Sequence, residues 1–129
     1  MCIRDRFLIV QILILAGFGL AYFVRPQETA NLSGMLLMAP AALTDVRAYY
    51  GGLQLGLAAW LGLALLQGDL LRPALMLLVL LYSALFLARL GGLWLDGGAQ
   101  QTFNLYAMLF EGVSAALAFW LLRGRSAAA

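Results

Sequence analysis

The sequence predicts an all-α membrane protein, an antiparallel bundle of four transmembrane helices with a short apolar segment in the first connection. Of its 129 residues, 64% are hydrophobic and only 11% are charged. In addition, four apolar runs of about 20 residues each are long enough to cross a bilayer. A soluble domain of this length leaves too much surface in water to hide so many apolar side chains. We expect a single domain over residues 7–122.

The first run, residues 7–24, is interrupted only by Gln11. A cleaved signal peptide is the alternative to a membrane helix, but the flank from Ala21 to Arg25 lacks a small-residue cleavage site. Pro26 ends the helix, because the residue before a proline avoids the helical conformation. The opening residues 1–6 sit oddly before this run, and we interpret them as an artefactual or disordered start.

The first connection, residues 26–44, carries an apolar stretch that Gly34 and Pro40 interrupt. We expect residues 35–39 to be an interfacial or re-entrant segment, with a partly ordered loop as the alternative. Three further helices are predicted at residues 46–67, 74–95 and 103–122. A short tail follows at residues 123–129. The turns between these helices are short and polar, which predicts antiparallel neighbours.

The arginines are distributed unevenly between the two sides of the membrane that the four predicted helices define. Arg72, Arg123 and Arg125 share the side of both termini, and Arg25 and Arg47 lie on the other. The positive-inside rule then predicts cytoplasmic termini. All eight basic residues are Arg in a chain rich in Ala and Leu, which suggests a GC-rich bacterial genome and hence the bacterial inner membrane.

Two ionisable residues lie within predicted helices, where charge is costly and points to a role. Arg89 lies seven residues before Asp96, about 10 Å along the helix, and Glu111 lies eight residues after Phe103, about 12 Å along. Both depths are counted from the same turn, so the sequence predicts an Arg–carboxylate pair between adjacent helices. The pair is either a structural clamp or part of a ligand or proton site. The residues alone do not distinguish these two interpretations.

Small residues recur at helical spacing and predict close packing of helices within the chain, with homodimerisation as the alternative. In the second helix these residues are Gly51, Gly52 and Gly56. In the third helix they are Ala84, Ala88 and Gly92.

Several kinds of chemistry are excluded by composition. The chain has no His, no Lys and one Cys, Cys2, so it lacks an imidazole base, a Schiff-base lysine and a thiol pair. The acidic residues are too few and too far apart for a metal cage. The arginines are scattered and the net charge is only +2, which does not form a nucleic-acid patch. We therefore expect no catalytic residues, no metal and no cofactor.

A family resemblance accompanies these patterns. The stretch Arg47-Ala48-Tyr49-Tyr50-Gly51-Gly52-Leu53-Gln54-Leu55-Gly56, with Arg89-Leu90-Gly91, Asp96-Gly97 and Glu111, resembles the family catalogued as domain of unknown function 4345, over about 7–122. That family consists of small bacterial four-helix membrane proteins, and the resemblance carries no established activity. It implies one polar cluster at the outer end of the bundle, formed by Arg47, Tyr50, Arg89, Asp96 and Glu111.

Three functions remain open at this point. The first is a non-catalytic partner or membrane-organising subunit that contacts the lipid bilayer and a membrane protein partner or a second copy. The alternative is a small transporter, or a lipid- or ligand-binding carrier, that uses the polar cluster. The third is a membrane enzyme or a quinone-interacting redox accessory, against which the missing His and thiol pair argue.

Overall fold

The computed structural model describes the backbone of residues 2–97 and 101–128, and the side chains of these residues as far as 124. Within these ranges the chain is helical and contains no strand. It forms two compact units, Met1–Gly68 and Asp69–Ala129.

The first unit is built on two long helical stretches. Helix α1 is Ile3–Val24, and the short helix α2, Pro26–Asn31, follows it directly. Helix α3, Pro40–Val46, runs through a π-helical turn, Arg47–Gly52, into helix α4, Leu53–Leu66. Each of α2 and α3 begins with a proline, whose fixed φ suits the first helical position.

The second unit is a helical hairpin. A 3₁₀ turn, Gly68–Leu70, leads into helix α5, Leu71–Asp96, and helix α6 is Thr102–Ala128. Gly97 ends α5 with a φ of 81°, a conformation that suits glycine because it has no Cβ. Of the predicted turn at 96–101, residues 98–100 lie outside the described residues.

Among the described residues, four helical stretches are long and apolar enough to cross a membrane, and they are Ile3–Val24, Pro40–Leu66, Gly68–Asp96 and Thr102–Gly124. The predicted all-α class and the four spans are therefore confirmed. Many large apolar side chains on all four are exposed, among them Leu13, Leu66, Leu80 and Leu109. That is the pattern expected when lipid rather than water covers a helix.

Several predicted boundaries need correction. Residues 3–6 form the first turn of α1, which differs from the disordered alternative for this opening segment. The second span begins at Pro40, six residues before the predicted start, because proline initiates a helix as readily as it ends one. The third begins before Pro73, which is tolerated within the first turn. Within the tail, the α6 backbone continues to Ala128, and Ala129 lies outside the described residues.

The apolar segment at residues 35–39 is neither helix nor strand. Met35 and Leu37 pack against a small buried group formed by Tyr22, Ala30 and Val46. Leu36 and Met38 alternate with them and are 72% and 86% exposed. The segment thus turns one set of side chains to the protein and the other outward, which suits the edge of a membrane.

The π-helical turn determines which side of the second span is buried. The Leu53 N–H bonds the Ala48 carbonyl, five residues back, in place of the usual four. Residues five apart lie about 140° from each other around an α-helix. The wider turn instead lets Val46 and Gly51 both be buried, and the buried side then continues through Ala58 and Leu61.

The crossing between α1 and the π-helical turn is close because two glycines meet there. A Cβ added to Gly51 would lie 3.1 Å from the Gly19 carbonyl oxygen and 3.2 Å from the Phe23 nitrogen. A Cβ on Gly19 would lie 3.0 Å from the Gly51 carbonyl oxygen. The neighbours of Gly51 are backbone atoms, which cannot turn aside, and the nearest neighbour of Gly19 is Cγ of Leu55 at 2.9 Å, so a side chain at either position would force a shift.

Candidate functional site

A buried ion pair joins α5 to α6. Nε of Arg89 donates to both carboxylate oxygens of Glu111, at 2.8 Å to Oε1 and 3.0 Å to Oε2. The Glu111 side chain is 6% exposed and that of Arg89 is 28% exposed. The pairing predicted from helix depth is confirmed, and the carboxylate is the more enclosed of the two partners.

A chain of hydrogen bonds continues from this pair towards the turn between the helices. Nη1 of Arg89 donates to Oδ1 of Asn104 at 2.5 Å, and Nδ2 of Asn104 donates to Oε1 of Gln101 at 2.9 Å. Nε2 of Gln101 in turn donates to the carbonyl oxygen of Gly97, at the end of α5. We call these residues the polar chain: Gly97, Gln101, Asn104, Arg89 and Glu111.

The Arg89 guanidinium is only partly used by the protein. It carries five N–H groups, of which Nε–H is bound to Glu111 and one on Nη1 to Asn104. The second hydrogen of Nη1 and both hydrogens of Nη2 have no acceptor among the described residues. Nε and Nη1 therefore fix the side chain, and Nη2 presents donors on a side chain that is 28% exposed.

Aromatic side chains pack the hairpin next to the polar chain. Tyr82 and Phe110 meet edge to face, with ring centroids 5.6 Å apart. A Cβ on Gly112 would lie 3.2 Å from two carbons of the Phe86 ring, so a glycine beside Glu111 lets α6 approach that ring. These contacts hold the two helices close where Arg89 and Glu111 meet.

Asp96 and the small residues of α5 play no part in the pairing. Asp96 is exposed at the last position of α5, and within the described residues it forms no ion pair. Ala84 and Ala88 are exposed, and the nearest atom to a Cβ on Gly92 would be Oδ2 of Asp96, at 3.8 Å. None of these three small residues marks a close helix crossing within the hairpin.

Arg47 and Tyr50 lie in the first unit, at the π-helical turn. The Arg47 guanidinium carbon lies 5.9 Å from the centre of the Phe23 ring, within cation–π range. The rings of Tyr50 and Tyr22 have centroids 5.1 Å apart. Nε2 of Gln54 donates to the Tyr50 carbonyl at 2.8 Å, which gives that carbonyl in the irregular turn a side-chain partner. Both predicted residues thus have aromatic partners on α1.

Of the glycines predicted to pack in the second span, only Gly51 forms a close crossing. Gly52 and Gly56 are exposed, and a Cβ on Gly56 would have nothing within 4 Å. The predicted Gly52-to-Gly56 face is therefore not a packing face of this unit. The π-helical turn explains the difference, because it moves the buried side of the helix by one residue.

Sequence reasoning missed Asn104, Gln101 and Gly19. Asn104 lies seven residues before Glu111, which is about two helical turns and therefore the same face. That spacing, together with an amide inside an apolar helix, is a signal that could have found it. No comparable signal marks Gly19, because its role depends on where α1 crosses the π-helical turn.

A surface groove of about 520 Å³ lies on the first unit. It runs along α1 from Gly17 to Val24 and reaches Glu28 on α2. Arg25 and Glu28, at its edge, form an ion pair of 3.2 Å in which both side chains are 70% exposed. The groove contains none of the predicted site residues. Among the residues described, no group of His, Cys, Asp or Glu side chains could hold a metal ion.

Comparison with known proteins gives a family and no function. Neither the curated proteins nor the solved structures contain a significant match. The model of one family, described as domain of unknown function (DUF4345), matches residues 4–122. The match begins three residues before the expected start of the resemblance, so it takes in part of the opening segment. The chain therefore belongs to the DUF4345 family, whose description assigns no activity.

Proposed function

We propose that this protein is a non-catalytic integral membrane protein that binds an amphipathic molecule, such as a lipid, at the Arg89 end of the polar chain. The observation that carries the proposal is that only some of the N–H groups of the Arg89 guanidinium have acceptors among the described residues. Nε is held by Glu111 at 2.8 Å, while the Nη2 hydrogens have no acceptor among the described residues. Donors that face hydrocarbon without an acceptor are costly, so a bound acceptor stabilises this arrangement.

The position of Arg89 supports an amphipathic ligand rather than a fully water-soluble one. Arg89 lies seven residues inside the end of α5, about 10 Å along the helix axis. A molecule that reaches this depth has an apolar part beside it, and the exposed apolar residues Leu85 and Leu90 lie on the same helix. A polar group and an apolar chain in one ligand match both features.

Retention of small molecules through purification tests the proposal. The wild-type protein, extracted with its native lipids, is expected to keep a molecule that native mass spectrometry detects. Arg89→Ala and Glu111→Ala should lose it, because the first removes the donors and the second removes the group that positions them. Arg123→Ala is the matched control, since Arg123 is also an arginine beside an aromatic ring, at 5.8 Å from the Phe119 centroid. Equal retention in all four proteins would overturn the proposal.

A partner or membrane-organising role is the second candidate, and the exposed glycines of the second span favour it. Gly52, the last residue of the π-helical turn, and Gly56 on α4 leave an open, small-residue surface, which allows another helix to approach closely in lipid. The partner would be a second copy of this chain or another membrane protein. Gly56→Leu should abolish the association, and Gly17→Leu, at an exposed glycine of α1 with equally open space, is its control. If Gly56→Leu leaves the mass of the native complex unchanged, this surface is not the interface.

The proposed location is the bacterial inner membrane, with both termini in the cytoplasm. The arginine distribution between the predicted sides supports it through the positive-inside rule. In this orientation, the polar chain opens towards the outer side of the membrane.

A further inference from the structure

We infer that the ligand presents an uncharged carbonyl oxygen to Arg89, as a long-chain ester does, rather than a charged head group. The inference rests on the proposed function, since it names the class of molecule that the same site binds. It follows from three features of the site, which are its charge balance, its remaining hydrogen-bonding groups and its depth.

The charge of the site is already balanced. Arg89 and Glu111 carry opposite charges, and their atoms lie 2.8 Å apart. An added anion would leave a net negative charge inside the membrane beside a carboxylate that is only 6% exposed. Uncompensated charge at such a depth is energetically costly. A ligand without charge avoids that cost and still accepts the N–H groups.

The remaining groups of the site are mainly donors. Both oxygens of Glu111 accept from Arg89, and the amide oxygens of Asn104 and Gln101 each accept one bond within the polar chain. Nη2 of Arg89 presents hydrogens that have no acceptor among the described residues, and a carbonyl oxygen can receive one of them without donating in return. An ester carbonyl therefore complements this site better than a group that must also donate.

The depth of Arg89 agrees with the level of ester groups. Helix α5 has 26 residues, which gives a length of about 39 Å. That length approaches the full bilayer of about 40–45 Å, of which the hydrocarbon core takes about 30 Å. The head-group layer on each side is then roughly 5–8 Å thick. Arg89, about 10 Å from the helix end, thus lies just below the head groups, where acyl ester carbonyls meet the hydrocarbon.

Two probes of equal chain length distinguish the carbonyl from a charged group. Radiolabelled hexadecanoic acid methyl ester is uncharged, and hexadecyl phosphate is anionic at pH 8. Each is titrated into the full-length protein in nanodiscs, for the wild type, Arg89→Ala, Glu111→Gln and the control Arg123→Ala. The wild type and the control should bind the ester at least about tenfold more tightly than the phosphate, which is one decade in Kd.

The Glu111→Gln variant gives the sharpest contrast. It removes the negative charge and leaves a cationic Arg89, so the preference should shift towards the phosphate by at least about tenfold. The ratio of the Kd values of the two probes is taken within each variant and then compared between variants. A general loss of folded protein affects both probes equally and therefore does not change the ratio.

The outcomes separate the inference from the function on which it rests. If the wild type prefers the phosphate and Arg89→Ala abolishes that binding, the site binds amphipathic molecules but the carbonyl assignment is overturned. If neither probe's binding changes in Arg89→Ala, the proposed function itself fails at this site. A wild-type preference for the ester that Arg89→Ala removes supports both.

Discussion

Arg89 donates from Nε to Glu111, with Oε1 at 2.8 Å and Oε2 at 3.0 Å, while the hydrogens of Nη2 have no acceptor among the described residues. A side chain held in this way serves two roles. Its Nε joins α5 to α6, and its Nη2 hydrogens remain available to a ligand. A structural clamp and a binding site are therefore compatible in the same residue.

The two side chains should be energetically coupled. Arg89→Ala and Glu111→Ala are each expected to lower the free energy of unfolding by about 1–3 kcal/mol, because either change leaves the partner charge unpaired inside the membrane. The double variant should be no less stable than the worse single variant. The free energy of unfolding in detergent micelles is measured for the wild type, the two single variants and the double variant. Strictly additive losses would mean that the pair does not act as a clamp.

Asn104 should stabilise the hairpin through the two hydrogen bonds that its side-chain amide forms. Asn104→Leu removes the acceptor of Arg89 Nη1 and the donor to Gln101. We expect a loss of about 1 kcal/mol, the usual net contribution of such bonds in membrane and soluble proteins. Asn31→Leu, at an exposed amide of α2, is the control. A more stable Asn104→Leu protein would show that the amide serves only another purpose, such as binding.

Two glycine substitutions in the second span should have opposite effects. Gly51→Ala is expected to destabilise by about 1–3 kcal/mol, since its Cβ would lie 3.1 Å from the Gly19 carbonyl oxygen. Gly56→Ala should be neutral or stabilising by up to about 1 kcal/mol, because its surroundings are open and alanine favours helix. Thermal unfolding of the two variants measures the contrast. Equal effects would contradict the close crossing at Gly51.

The sequence was sufficient for the features that depend on length and depth. Apolar runs predicted four spans because hydrocarbon thickness sets helix length. Counting residues from one turn predicted the meeting of Arg89 and Glu111 because adjacent antiparallel helices share that turn. Both arguments use only the regular rise of an α-helix.

The features that the sequence did not reveal depend on departures from that regularity. The π-helical turn at Arg47–Gly52 changes which glycine is buried, and the buried Gly51 lies against Gly19 on α1. A pattern of glycines four apart assumes an uninterrupted helix, so it selected Gly52 and Gly56 instead. Asn104 was missed because an amide carries no charge to attract notice in an apolar run.

Membrane orientation can be measured with the single cysteine of this chain. Cys2 is exposed, and cytoplasmic termini predict that a membrane-impermeant maleimide labels it only after intact cells are opened. Asp96→Cys in a Cys2→Ser background should be labelled in intact cells, because the end of α5 would lie outside. The reverse pattern would invert the proposed topology while leaving the fold unchanged.

The most direct test of the central claim replaces Arg89 with lysine. Arg89→Lys keeps a positive charge for Glu111 but removes the planar fork that presents Nη2. We predict that it stays folded, with an unfolding free energy closer to wild type than that of Arg89→Ala, and that it loses the molecule retained by the wild type in native mass spectrometry. If Arg89→Lys and Arg89→Ala both retain that molecule at wild-type levels, Arg89 does not bind it and the account is contradicted.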